Sequence, residues 1–294
     1  MGYTTQKMNY FFLFYKEMIS ENLLKHIFGF FEEYELFYLR IVCKYFKANA
    51  KLQVLHYLKI MEENIYLLNF NPKVFKNLEF LDCSENQLTE IPYIAGVKKL
   101  HCSHNKLTQI PYTCGLIDLY CFNNKLTEIP HVVGLKKLNC SLNNLKKIPK
   151  IVGLKKLYCS NNYLTEIPHI DGLEVLHCRD NRLTEIPRMI SLKTLDCSCN
   201  QLIEIPYIPK LRILYCSYNR ITEIPHLNEL EELDCANNQI TKLPHMNKLE
   251  VLNCANNQIT EIPNMDKLEV LNCVYNNITK IPRMARLDAS YSYF

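Results

Sequence analysis

The chain has 294 residues, 48% of them hydrophobic, which is enough for one long domain or two ordinary ones around a sizeable core. Its 34 basic side chains nearly balance 30 acidic ones, and a formal charge of +4 excludes the global positive field of a nucleic-acid-binding protein, though not a local patch. Gly-rich phosphate loops, paired catalytic carboxylates and nucleophile elbows are missing from the sequence, so it indicates no small-molecule enzyme and no cofactor.

Residues 1–17 read as a leader. The run Tyr10-Phe11-Phe12-Leu13-Phe14-Tyr15 is strongly apolar, yet it falls far short of the roughly 20 residues that span a bilayer. Lys7 and Lys16 flank it, but no small-residue cleavage site succeeds it. Gly2 would suit myristoylation except that position six is Gln6 rather than Ser or Thr. The expectation is no membrane partner and a reducing intracellular compartment, cytoplasmic or nuclear, possibly of a host cell.

From residue 18 the pattern becomes helical. Ser20 is placed to cap a helix whose apolar side is Leu23, Leu24, Ile27, Phe28 and Phe31, with Glu21 near its positive end. A charged turn, Glu32 to Glu35, precedes a second helix with Leu36, Leu39, Val42, Cys43 and Phe46 on one side. A third helix is predicted from about Leu52 to Met61, ahead of the segment Ile65 to Phe70, and a domain boundary falls near Asn71-Pro72.

Ile19 to Phe31, with Glu35-Leu36 and Leu39-Arg40-Ile41-Val42-Cys43-Lys44-Tyr45-Phe46 after it, resembles an F-box without a gap over 28 positions. The ending Val42-Cys43-Lys44-Tyr45-Phe46 is its most specific piece; the usual Leu-Pro opening is Ile19-Ser20 here. The resemblance implies a three-helix unit that docks on the Skp-type adaptor of a cullin-RING ubiquitin ligase. Ile19, Leu23, Leu24, Ile27, Phe28, Phe31, Leu36, Leu39 and Val42 would then divide between the unit's own core and the adaptor interface, their apolar total exceeding what so small a module buries alone. The plainer alternative is that this region only caps the repeat array beginning at residue 78, since an end repeat must hide its apolar side.

After residue 77 eleven cysteines, from Cys83 to Cys273, stand 19 residues apart, each inside the unit L-x-x-L-x-C-x-x-N-x-L-T-x-I-P-x-I-x-G. The unit resembles a short leucine-rich repeat over about 210 residues, most like those of secreted bacterial effectors and giant DNA viruses. Leu81-x-Cys83 alternates at period two, so each copy predicts one short half-buried strand, and one strand per coil makes a parallel sheet. Asn86 and its ten equivalents are expected to satisfy backbone groups where the chain turns inside the solenoid; a row of ligand-binding amides is the alternative. The outer limb, Leu88 to Ile94, is too short for a helix and carries a proline in every copy, so it should be extended or irregular.

Eleven of the fourteen cysteines fill a position that is aliphatic in other repeats of this kind, so they read as small buried hydrophobes. With no C-x-x-C pair and no ligand-spaced Cys/His cluster, no metal site is predicted. His131, His169, His226 and His245 come directly after the repeat proline and read as surface histidines.

Strand residues that alternate with the buried ones should face the concave side, where they vary from coil to coil on an unvarying scaffold. The central outward column includes His101, Tyr120, Tyr158, His177, Tyr215 and Asp234, with the aromatic rings as the expected anchors. The column before it includes Lys99, Lys137, Lys156 and Ile213, and Arg179 lies near the end of its strand. Early coils are thus basic and later ones apolar or acidic, which fits a partner with an acidic and a more apolar end; a solvated lysine edge is the alternative.

The predicted architecture is α+β: leader 1–17, F-box-like helical domain 18–60, linker and N-terminal cap 61–77, eleven repeats over 78–286, and C-terminal cap 287–294. The predicted role is a substrate receptor that binds a Skp-type adaptor and one unknown protein, with no nucleic acid, membrane, metal or cofactor. Similar repeats in bacterial effectors precede a cysteine-dependent ligase domain, for which 287–294 leaves no room; Cys43, Cys114 and Cys199 also lack a recognisable base beside them.

Overall fold

The computed structural model describes residues 57–59, 78–93, 95–111 and 115–288. Twelve three-residue strands form one parallel sheet in strictly sequential order. They are β1 (Tyr57–Lys59), β2 (Phe80–Asp82), β3 (Lys99–His101), β4 (Asp118–Tyr120), β5 (Lys137–Asn139), β6 (Lys156–Tyr158), β7 (Val175–His177), β8 (Thr194–Asp196), β9 (Ile213–Tyr215), β10 (Glu232–Asp234), β11 (Val251–Asn253) and β12 (Val270–Asn272). The described residues form a leucine-rich-repeat solenoid, and no helix occurs among them.

Each coil contributes the same side chains to one continuous core. In the coil containing β5 these are Val132, Leu135, Leu138, Cys140, Leu145 and Ile148, all at least 95% buried. Leu138 is the middle residue of its strand and points inward; Lys137 and Asn139 on either side point out, as period two requires. All eleven cysteines of the repeat column are buried and free, and burial pushes their thiols up, well above the ordinary range for such members as Cys121, Cys159 and Cys216.

The asparagines form the predicted ladder. Asn105 donates through Nδ2 to the Cys83 carbonyl of the preceding coil at 2.9 Å and to Cys102 and Ser103 of its own, and its Oδ1 accepts from Leu88 N–H at 3.0 Å. Asn162 and Asn257 repeat the arrangement. Each amide therefore ties two coils together at a turn closed to water. The residue before each asparagine is left-handed, with φ between 52° and 58° from Glu85 to Tyr275. This conformation is uncommon for side chains such as Leu142 and Tyr218. Its amide N–H bonds the next coil, as Glu85 does to Ser103 O at 2.9 Å.

One expectation is corrected. The predicted third helix, Leu52 to Met61, has strand β1 at its centre, and β1 pairs with β2 through Tyr57 opposite Phe80. That step is 23 residues, against 19 between Phe80 and Lys99. Leu55-His56-Tyr57-Leu58-Lys59-Ile60 is an imperfect copy of Leu78-Glu79-Phe80-Leu81-Asp82-Cys83, with Ile60 at the cysteine position. The longer step and missing cysteine hide it from a search at period 19, and pairing to the open edge of β2 outweighs local helical spacing. The first two expected helices, and with them Ile19, Leu23, Leu24, Ile27, Phe28, Phe31, Leu36, Leu39 and Val42, lie outside the described residues.

Candidate partner-binding surface

The outward residues of β2 to β12 make two parallel columns on the concave face. In register, Asp82, His101, Tyr120 and Asn139 are neighbours in one, and Phe80, Lys99, Asp118 and Lys137 in the other. Because each strand is only three residues long, the sheet holds these side chains one strand spacing apart, roughly 4.8 Å.

The structure groups the expected anchors instead of leaving them as single rings. Phe80, His101 and Tyr120 form an edge-to-face run with centroid separations of 4.7 and 4.5 Å. Asn139 interrupts it, and Tyr158 with His177 forms a second pair at 4.9 Å. Burial lowers the affinity of His101 and His177 for a proton, while nearby Asp82 and Asp118, or Asp196, oppose that shift. Both imidazoles are therefore predominantly neutral at neutral pH. Phe80 escaped the sequence reading, though it occupies the register position of Lys99 one coil earlier.

Farther along, Tyr215 donates its hydroxyl to Glu232 at 2.8 Å. Burial, then this hydrogen bond, push its phenol up to about 12. Asp234 accepts from Ala236 N–H and from Asn253 Nδ2, both at 3.1 Å, and its carboxyl titrates above the usual range because burial outweighs those bonds. Asp82 and Asp196 make the same turn bond to the residue two positions on. The central-column acids thus brace the strand ends as well as facing the concavity.

Of the lysines, Lys99 and Lys156 are exposed, and Lys137 sits 3.9 Å from the nearly buried Asp118. Ile213 is half-buried beside Tyr215. Arg179 lies past the strand end, its Nε donating to Asp180 at 2.9 Å. Among the described residues no three metal-capable side chains cluster, and no helix is long and apolar enough to cross a membrane.

A family model for leucine-rich repeats in two copies matches residues 209–248 and 247–283. No curated protein matches the chain. Among solved structures, YopM from Yersinia enterocolitica WA-314 is similar at 29% identity and a TM-score of 0.66, over 74% of this chain and 55% of that one. YopM of Yersinia pestis, described as a leucine-rich effector protein, aligns at 28% identity and 0.66 over 74% and 72%. The functional domain of InlJ from Listeria monocytogenes, described as including a cysteine ladder, aligns at 26% identity and 0.68 over 83% and 63%. This chain therefore spans little more than half the length of the first of these proteins.

Proposed function

We propose that the chain is a protein-binding scaffold acting as the substrate receptor of a cullin-RING ubiquitin ligase. The concave face takes the protein to be modified, and an F-box-like segment recruits the Skp-type adaptor. The observation that carries the first half is the contrast within each strand: an unvarying buried leucine lies between outward residues that change from coil to coil and gather aromatic rings at Phe80–His101–Tyr120 and Tyr158–His177. The second half rests on the resemblance of residues 19–46 to an F-box. The recruiting segment then ends before Tyr57, where the sheet begins.

Pairing of β1 with β2 favours a second reading, in which the region before the repeats serves as the solenoid's cap. Co-precipitation of the full chain with a purified Skp-type adaptor separates the two. Binding that is lost in the double variant Leu24→Asp, Ile27→Asp supports the receptor; absence of binding by a chain shown to be folded leaves a capped interaction module.

A further inference from the structure

Beside the concave face runs a third column, formed by the residue just before each of the strands β2 to β12 and, one coil further on, by Asp288. It comprises Glu79, Lys98, Ile117, Lys136, Lys155, Glu174, Lys193, Arg212, Glu231, Glu250, Glu269 and Asp288. Backbone bonds hold it in register along the whole array, from Lys98 N–H to Glu79 O at 2.7 Å through to Asp288 N–H to Glu269 O at 2.9 Å. Lys98, Lys136 and Lys155 fall in its first half and Glu231, Glu250, Glu269 and Asp288 close its second, while Glu79, Glu174, Lys193 and Arg212 break that trend.

From this order we infer that the flank is a self-complementary interface, on which a second copy of the chain docks antiparallel about a two-fold axis at Lys193. Reversing the column end for end about Lys193 places Lys98 against Asp288, Lys136 against Glu250, Lys155 against Glu231 and Glu174 against Arg212. Two-fold symmetry makes every such pair twice. A shift of one coil in one direction opposes Lys155 to Arg212; in the other it opposes Glu174 to Glu231 and Lys193 to Arg212. The charge order therefore selects one register as well as one orientation. Only Lys193 meets itself, and Glu174 already holds its ammonium at 2.8 Å within the chain; Lys98, Lys155 and Arg212 likewise pair within the chain with Glu79, Glu174 and Glu231, so Lys136 with Glu250 is the opposed pair in which neither charge is already matched. Ile117 opposite Glu269 and Lys193 opposite itself are the positions without a charge match, and Glu79 has no counterpart in this register.

Two further features fit that register. Lys136 makes no ion pair among the described residues, its Nζ bonding only the Gly153 carbonyl at 3.3 Å, and Glu250 likewise takes part in no ion pair among them. These two charges are each other's counterparts across the axis. On the turn beside the axis, Ile190 is an apolar side chain left 59% exposed. In the adjoining strand column Lys156 falls against Glu232 and Val175 against Ile213, while Lys137 falls against Val251 and Asp118 against Val270.

The test is light scattering of the full-length chain across a concentration series. The chain is expected to be dimeric at low salt and to dissociate near 1 M salt, where charges are screened within about 3 Å. Lys136→Glu and Glu250→Lys should each weaken the dimer on the order of 10-fold or more, because each sets like charges together twice. Mixing the two single variants restores both contacts in a heterodimer, and the double variant restores them in a homodimer. Far-ultraviolet circular dichroism checks that the variants fold. A monomeric native chain, a dimer indifferent to either reversal, or a mixture that fails to pair would overturn the inference.

Discussion

The inward and outward faces of the same three-residue strands obey opposite rules. Inward, Leu157 and its equivalents are the same residue in eleven coils and are fully or almost fully buried, and Cys159 and Asn162 recur as strictly behind them. Outward, one residue to either side along the backbone, the same register holds Lys, Asp, Val, Thr, Ile and Glu in one column and Asp, His, Tyr and Asn in the other. The difference teaches that stability and recognition are carried on separate columns of one strand. A solenoid can therefore vary its partner surface without disturbing its core.

That separation is open to attack from both sides. Leu157→Ala should cost most, about 2 to 5 kcal/mol in chemical denaturation, because it opens a cavity inside a column packed above and below. Asn162→Ala should cost about 1 to 3 kcal/mol, since it leaves the Leu145 N–H without its acceptor and removes one of the two amide donors to each of the Cys140 and Cys159 carbonyls, which keep Asn143 and Asn181; an unchanged midpoint would show the ladder to be dispensable. Tyr158→Ala should change stability by only about 1 kcal/mol, the worth of its edge contact with His177, while lowering affinity for a concave-face partner at least tenfold. Equal loss of stability and binding would mean that the two faces are not separable.

The smallest effect concerns pH. Burial holds His101 and His177 below their ordinary value of 6.5, so as pH falls through that value the unfolded chain takes up protons first. Their contribution is therefore full above about pH 6.5 and is lost progressively below it, levelling off beneath the folded values. Replacing both with Gln should flatten the fall in melting temperature between neutral and mildly acidic pH. Thiol labelling gives an independent view of the core: Cys199 is only partly buried and should react in the folded chain well before the eleven column thiols, which need unfolding.

The repeat made most of the fold legible in advance. A period of 19 with fixed Leu, Cys, Asn and Pro specified the parallel sheet, the buried thiols and an outer limb without helix, because each coil repeats one local solution and meets only its neighbours. Alternation also predicts an outward residue on either side of each buried leucine, although Asp118 is itself buried. Tertiary structure alone decided three things. Tyr57–Lys59 became a strand because the edge of β2 offered backbone partners to a segment whose own pattern had drifted out of period. Glu85, Leu142, Tyr218 and their equivalents took a left-handed backbone that their side chains do not favour, because the stacked coils and the adjoining asparagine hold the turn. And the rings of Phe80, His101 and Tyr120 became one surface because side chains 19 or more residues apart meet only after the coils stack.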